Sequence, residues 1–305
     1  MTDLITSREV ALGAITLVAA IVNGALGYGF SSITVPLALL FMANRVLNPA
    51  LVVIEVGLNA YVLWVNRAAL PGVWRRMLPI AIGLGPGVIV GTSLVAQVNA
   101  GWLKLWTFIV LLPLILLQAA GYRRPIKSEK SVGLVFGGGV GVLYSVTTIS
   151  GPPLAVLLSN QGLTKKDFRA ALGFLRLAES SMTAAAYLYA GLFTSESLGL
   201  VPWILPSIAL GVPLGAQVIQ RVQPETFRRV CMSFDAWVVG FGLSTLAGQL
   251  NLILGYKAFL ILAAVGAVDS WLLYRFFSKP RGVALLAEPE RGPAGQGLSS
   301  GRLVE

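Results

Sequence analysis

Long apolar stretches recur along the chain between Val10 and Phe277, and short polar or basic segments separate them. Several reach about 18 residues or more, which is enough to cross a hydrocarbon core of about 30 Å. Because lipid offers no partner to backbone N–H and C=O groups, a spanning segment must be a helix or part of a closed barrel. The stretches are continuous and lack the alternation of barrel strands. The chain is therefore predicted to be an all-α, polytopic transmembrane helical bundle.

Most of these stretches fit one membrane helix each: 49–64, 77–98, 102–120, 170–190, 201–219, 230–247 and 254–276. Two others, 10–42 and 132–158, would form helices of about 50 and 40 Å at 1.5 Å per residue, longer than one span requires. The second contains Gly-Pro-Pro at 151–153, and proline interrupts a helix. We expect each of the two to be a broken helix that folds back as a hairpin.

The distribution of Lys and Arg predicts how the second half is oriented. Basic clusters lie at 122–130, 159–169 and 220–229 and after Tyr274, whereas 191–199 has no basic residue. Cytoplasmic loops carry an excess of Lys and Arg, so the basic segments and the C-terminus are predicted to be cytoplasmic and the neutral loop to be outside. Since both flanks of the second broken stretch are basic, its hairpin is expected to begin and end on the cytoplasmic face.

The first half is predicted to have the opposite orientation. Arg67, Arg75 and Arg76 place the loop after Asn66 inside, so the comparable helices of the two halves run in opposite senses. The hairpin of 10–42 should then begin and end on the outer face. Its own flanks, with Arg8 and Arg45, carry little charge and lean mildly against this.

A weak internal repeat relates the two halves. An offset of 117 positions lays 24–41 on 141–158, with six of eighteen positions identical, including Gly24 on Gly141 and a shared proline. A second offset, 124, lays Gly87, Val88 and Gly91 on matching residues at 211, 212 and 215. Repeat and charge bias together predict two inverted-topology repeats, each with a broken helix, as in secondary transporters. We expect a first repeat at 1–121, a cytoplasmic linker at 122–130, a second repeat at 131–248, a final transmembrane helix at 249–278 and a disordered cytoplasmic tail at 279–305.

Composition narrows the chemistry. Hydrophobic residues make up 56% of the 305 positions and charged residues 12%, so the net charge of +10 reflects topology and not nucleic-acid binding. The chain has no histidine and one cysteine, Cys231, which excludes His-based catalysis, cysteine clusters and an intrachain disulfide. We expect no enzyme activity, no metal and no cofactor. No GxxxxGK[ST] motif supports an ATP-driven pump.

Small and hydroxyl residues next to the breaks are the candidate substrate-binding groups. Ser, Thr and Pro favour the start of a helix, and the N–H groups and positive dipole end of such a start attract an oxyanion. A new half-helix is expected to begin at each proline. The candidates are Gly27, Ser31, Ser32, Thr34 and Pro36 in the first half and Thr147, Thr148, Ser150, Gly151 and Pro152 in the second. Helix packing is the alternative, because small residues are common at membrane helix contacts.

Ionisable residues at membrane depth are a second group of candidates, since they are costly there and usually face a cavity or each other. Arg176 is expected to attract an anionic substrate, and Glu55, with Asn59 one turn later, or Glu179 to carry a coupling proton. A purely structural pair between Arg176 and Glu179, three positions apart, is the alternative. Two further acidic residues within predicted spans, Asp235 and Asp269, are weaker candidates.

Two stretches carry a resemblance to a known family: GALGYGFSSITVPLALL near the N-terminus and GVLYSVTTISGPPLAVLLSNQGLTKKDFRAALGF in the second half. Together with the two-half layout they resemble the TauE/SafE family of membrane permeases, also called the 4-toluene sulfonate uptake permease family. The resemblance covers most of 10–276. It implies transport of sulfur-containing anions such as sulfite, sulfonates or sulfoacetate, often outward, and does not select one substrate.

The sequence thus predicts a secondary transporter, an exporter, of a small sulfur-containing anion such as sulfite or an organosulfonate. Its partners are the anionic substrate, the lipid bilayer of the plasma membrane and a coupling proton or ion, and no nucleic acid; no oligomeric state is predicted. The alternatives are a membrane-embedded enzyme and a channel-like protein without coupled transport.

Overall fold

Helices are the regular elements of the part of the chain that this computed structural model describes, residues 2–26, 29–120, 129–159, 163–218, 224–253 and 255–278; no strand occurs in these ranges. They are α1 (Thr2–Leu26), α2 (Phe30–Ala38), α3 (Asn44–Val65), α4 (Leu70–Gln97), α5 (Ala100–Ala119), α6 (Glu129–Thr147), α7 (Gly151–Ser159), α8 (Lys165–Tyr189), α9 (Ser195–Gly199), α10 (Val201–Val218), α11 (Pro224–Gln249) and α12 (Leu260–Ser278). Short 3-10 turns, Arg67–Ala69 and Gly255–Phe259, precede α4 and α12. The all-α prediction is confirmed.

Within the described ranges, seven helical segments are long and apolar enough to cross a membrane: Ser7–Ala25, Asn44–Val65, Arg67–Gln97, Ala100–Leu117, Ser195–Val218, Arg229–Gln249 and Gly255–Ser278. Large apolar side chains stand open on their outer faces, such as Ile82, Ile89 and Val90 of α4. Broad apolar surfaces of this kind mark contact with a membrane. The protein is a multi-pass membrane protein.

Helix α8 is not among these seven segments, although its position agrees with the predicted helix 170–190. Charged residues fill its first turns, and Arg176 and Glu179 lie in its middle. These charges lower its hydropathy below that of a typical span. The helix packs against α3, α4 and α7, so protein surrounds its charged middle.

Both predicted interruptions are present. In the first half, α1 ends at Leu26 and α2 begins at Phe30, after Gly29 with a positive φ of 106°. In the second half, α6 ends at Thr147 and α7 begins at Gly151, and between them Thr148 has φ 54°. A β-branched residue in this left-handed region costs about 1–3 kcal/mol, which surrounding contacts must offset. Whether the hairpins begin on opposite faces stays a prediction.

The first helix of each predicted repeat packs against a helix of the other repeat, α1 against α10 and α6 against α4. Two glycines that the offset of 117 aligns allow these close approaches. A Cβ atom on Gly24 would lie less than 3.0 Å from the carbonyl oxygen of Val212, and one on Gly141 less than 3.0 Å from that of Leu84. Any side chain at either position would push two backbones apart.

The remaining domain boundaries stay predictions. Most of the predicted linker 122–130 and all of the predicted tail 279–305 lie outside the described residues. The final predicted helix corresponds to α12, which packs against α11. The contact between α3 and α8, with α2, α6 and α7 around it, positions the charged residues described next.

Candidate substrate site at the broken helices

Glu55 is a fully buried carboxylate in the middle of α3. Three side chains from three other helices donate to it. The hydroxyl of Ser31 lies 2.5 Å from Oε1, the hydroxyl of Tyr144 lies 2.7 Å from Oε2, and Nη2 of Arg176 lies 3.2 Å from Oε1. Donors from three helices, one of them a cation, therefore converge on one buried carboxylate.

Glu179 lies less than one turn after Arg176 on α8 and is also fully buried. The hydroxyl of Ser150 donates to its Oε1, while its Oε2 is buried without a hydrogen-bond partner. Buried polar atoms are nearly always paired in native structures. The unpaired oxygen is therefore free to contact a group that enters the site.

Each carboxylate contacts a serine at the start of a short helix. Ser31 is the second residue of α2, and Ser150 immediately precedes α7, its carbonyl accepting from the N–H of Leu154. Glu55 and Glu179 therefore lie close to the two N-termini where helix dipoles favour negative charge. The predicted anion-binding ends already face carboxylates of the protein itself.

The start of α2 differs from the prediction. A half-helix was expected to begin at Pro36, but α2 begins at Phe30, and Gly29 occupies its N-cap position. Ser31, Ser32 and Thr34 consequently lie inside the helix and do not cap it. The glycine, which has no Cβ to resist φ 106°, makes the earlier start possible. In the second half the expectation holds, since α7 begins at Gly151, directly before the prolines.

The ion pair of Arg176 also differs from the structural alternative. Among the described residues its salt-bridge partner is Glu55 on α3, in the other half of the chain, and not Glu179 on its own helix. The pair thus joins elements of both predicted repeats. Its Nε is buried without a partner, as is the hydroxyl of Thr34, one turn after Ser31 on α2.

Asn59 fixes the packing of α3 on α8. Its Nδ2 lies 3.3 Å from the carbonyl oxygen of Arg176 and 3.4 Å from the hydroxyl of Ser180. That hydroxyl in turn donates to the same carbonyl at 2.7 Å. Asn59 therefore holds the backbone of the arginine in place, and these hydrogen bonds do not involve the carboxylates.

The hydroxyls of Thr147 and Thr148 stabilise the turn between α6 and α7. Oγ1 of Thr147 donates to the carbonyl of Leu143 at 2.7 Å and accepts from the N–H of Ile149 at 3.0 Å. Oγ1 of Thr148 donates to the carbonyl of Thr147 at 2.7 Å. These contacts satisfy backbone groups that the break would otherwise leave unpaired.

Side chains from neighbouring helices satisfy two further carbonyls at the end of α6. Asn48 and Asn44 donate to the carbonyl of Val146 at 2.7 and 3.3 Å. The hydroxyl of Tyr187 donates to the backbone carbonyl of Ser145. This shell of polar residues lets a helix end inside the bundle without contact with water.

The other predicted site residues are less informative. Ser32 is half-buried, Pro36 is buried within α2, and Gly151 is the buried first residue of α7. Gly27 and the side chain of Pro152 lie outside the described residues.

Tyr144 is the site residue that the sequence analysis did not select. It is fully buried on α6 and donates to Glu55, yet a tyrosine in an apolar stretch looks like packing. The internal repeat also pointed to the two carboxylates. The offset of 124 that aligns Gly87 with Gly211 also aligns Glu55 with Glu179, since 179 − 55 = 124.

Two weaker candidates lie away from this cluster. Asp269 on α12 is fully buried and accepts from Arg229 at 2.9 Å, Ser233 at 3.2 Å and Trp237 at 3.1 Å, all on α11. These contacts attach the final helix to the bundle. Asp235 is buried on α11. No group of three potential metal-ligating side chains occurs among the described residues.

A cavity of about 560 Å³ lies at one end of the bundle, lined by residues of α1, of the connection between α2 and α3, and of α9. Arg8, Glu9 and Glu196 give its wall charge of both signs. None of the predicted site residues that the structure describes is among its lining residues.

Comparison with known proteins gives one match. The profile of the family described as sulfite exporter TauE/SafE matches residues 12–243, which are 232 of the 305 residues. No significant match was found among curated proteins or among solved structures. The matched range contains both breaks and all the residues of the carboxylate cluster.

Proposed function

The chain belongs to the sulfite exporter TauE/SafE family, a family of membrane transporters, and we propose that it exports a small sulfur-containing anion, sulfite or an organosulfonate, across the plasma membrane by secondary transport. The main support for an anionic substrate comes from Arg176. It is a buried cation at the contact between the two halves, and its Nε has no partner.

Two buried donors without partners suit a sulfonate or sulfite group, which presents three oxygens. The Nε–H of Arg176 and the hydroxyl of Thr34 are donors without partners, and the arginine geometry favours oxyanions. Ser31 and Ser150, at the two helix starts, each donate to a carboxylate of the cluster. Glu55 holds Nη2 of the arginine and so fixes the direction in which Nε points.

Burial of the cluster supports a mechanism by alternating access. Arg176, Glu55 and Glu179 are all at least nine-tenths buried, so an anion reaches them only when the helices around them move. In transporters with inverted repeats, one group of helices rocks against the other around a central site. The predicted repeats, the cytoplasmic C-terminus and a coupling role for Glu55 or Glu179 are part of this proposal.

Flux measurements test the proposal. The purified full chain in liposomes should take up sulfite, methanesulfonate, sulfoacetate or taurine with saturable kinetics, and Ser150→Ala should reduce the rate several-fold. If none of the four compounds is transported and none binds, the proposed class of substrate is wrong. Flux that does not saturate would favour the channel-like alternative, and chemical conversion of a lipid or peptide the enzyme alternative.

A further inference from the structure

The side-chain charges of the carboxylate cluster balance only together with the helix dipoles. Arg176 contributes one positive charge, and Glu55 and Glu179, when both ionised, contribute two negative charges in the same buried region. The N-termini of α2 and α7 add roughly half a positive charge each. With both carboxylates ionised, the empty cluster is then close to neutral.

A singly charged anion would disturb this balance. It would leave one negative charge uncompensated in the interior, where an unpaired charge is strongly unfavourable. Among the described residues, the titratable or charged groups facing Glu179 are Glu55 from α3, Tyr144 from α6 and Arg176 from α8 itself. Helix α7 contributes the uncharged Ser150.

The arginines of the other two elements that contact α8 are too far away to help. Helix α4 carries only Arg75 and Arg76, and the preceding 3-10 turn carries Arg67. At 1.5 Å per residue, Arg76 lies about 18 Å along α4 from Val88, whose carbonyl is near Ser145 at the level of the cluster. A compensating charge must therefore arrive with the substrate.

We propose that one proton binds Glu179 whenever a singly charged anion binds beside Arg176, so that anion and proton cross the membrane together. Glu179 is the acceptor because a single hydroxyl donates to it, whereas Glu55 has three donors including the guanidinium. The proton comes from water on the side of binding and forms an O–H bond at Oε2, the oxygen without a partner. That O–H then donates to the anion, and the proton returns to water where the anion leaves.

This inference rests on the proposed function and specifies its coupling: which carboxylate binds the proton, and how many protons cross with each anion. Transport of a singly charged anion becomes electrically neutral, responding to a pH gradient and not to membrane potential. Net export then proceeds when the outward gradient of the anion exceeds the opposing gradient of protons.

The test uses the full chain in liposomes, with methanesulfonate as the first probe because it keeps a single negative charge near neutral pH. If methanesulfonate is not transported, the probe is the singly charged form of sulfite, hydrogen sulfite. Acid outside at zero potential should raise uptake several-fold, and a potential positive inside, set with potassium and valinomycin at equal pH, should leave it unchanged. A trapped pH dye should report one proton per anion.

The variant Glu179→Gln keeps a neutral side chain with a hydrogen-bond donor. Its uptake should lose the response to the pH gradient and gain a several-fold response to potential, while Glu196→Gln, at an exposed position on α9, should behave as the unmodified chain. Elution as a single peak in size exclusion checks that the variant folds. Uptake driven by potential without proton movement in the unmodified chain overturns the coupling alone; no uptake of any panel anion overturns the proposed function and the coupling with it.

Discussion

At the residue scale, the main finding is that carboxylates of the protein itself lie at the N-termini of the two short helices. The hydroxyls of Ser31 and Ser150 were selected from the sequence because they precede prolines in broken stretches. Each instead donates to a glutamate, Glu55 and Glu179, on the next long helix along the chain. Arg176 pairs with Glu55 across the predicted repeats, so an incoming anion would enter a site already organised around negative charge.

Replacing Arg176 with lysine should separate the role of its charge from that of its geometry. The lysine ammonium still compensates Glu55, so the protein should stay folded, but it has no donor at the position of Nε and cannot present a planar fork. We expect transport of the panel anions to fall by about tenfold or more, equivalent to about 1.4 kcal/mol. Initial rates in liposomes with equal protein content measure this.

Arg75→Lys is the matched control, because Arg75 is exposed on α4. It should transport at the rate of the unmodified chain. If both variants transport at the same rate, the guanidinium of Arg176 does not bind the substrate, and its role is to pair with Glu55 in the structure.

At the element scale, the two broken helices need different local solutions. The first break uses a glycine with positive φ at the start of α2, and the second uses Thr148 in the same region, held by hydrogen bonds to neighbouring carbonyls. Side chains of α3 and α8 complete the second by satisfying the end of α6. The sequence predicted where the helices break, but only the packing of other helices shows how the freed backbone groups are satisfied.

The approach of α6 to α4 depends on Gly141, and a valine there should disrupt it. Its side chain would meet the backbone of α4 at Leu84, which cannot move as a flexible side chain does. Overpacking of this kind costs about 1–3 kcal/mol or more. We expect Gly141→Val to lower the thermal unfolding temperature and the fraction of protein that elutes as a single peak.

Gly139→Val provides the control on the same helix, because a Cβ at Gly139 would meet nothing within 4 Å. Both variants add the same side chain and lower helix flexibility equally. If the two unfold at the same temperature, the close approach of α6 to α4 is not what requires glycine at 141.

At the scale of the whole molecule, the proposed transport mechanism requires that the two halves have opposite orientations. The arrangement of the helices makes this predicted inversion testable. Helices α1 and α6 each pack on a helix of the other half. Helix α12 lies beyond the range that the family profile matches, and a buried ion pair attaches it to α11. Helices of each predicted repeat therefore pack against helices of the other, while the final helix packs against α11.

Labelling of single cysteines tests the inversion. With Cys231 replaced by serine, cysteines at Asn99 and Ser195 should react with an impermeant maleimide in intact cells, and those at Ala68 and Ser128 only after permeabilisation. The positive-inside rule places the first pair outside and the second pair inside. Reaction of Ala68 and Asn99 from the same side, or of Ser195 only after permeabilisation, would contradict the opposed orientation of the halves.

The sequence by itself determined the features that depend on neighbouring residues: helical spans from hydropathy, breaks from glycine and proline, and the family from local motifs. It also identified most of the polar residues of the cluster, because a charge in an apolar stretch is conspicuous. Only the tertiary structure decided which of them meet. Arg176 pairs with Glu55, 121 positions away, and not with Glu179 on the next turn, because the packing of α3 on α8 brings that carboxylate to the guanidinium while Ser150 engages the other. Tyr144 belongs to the cluster for the same reason, since its hydroxyl can donate to Glu55 only because the packing of α6 and α3 places the carboxylate beside it.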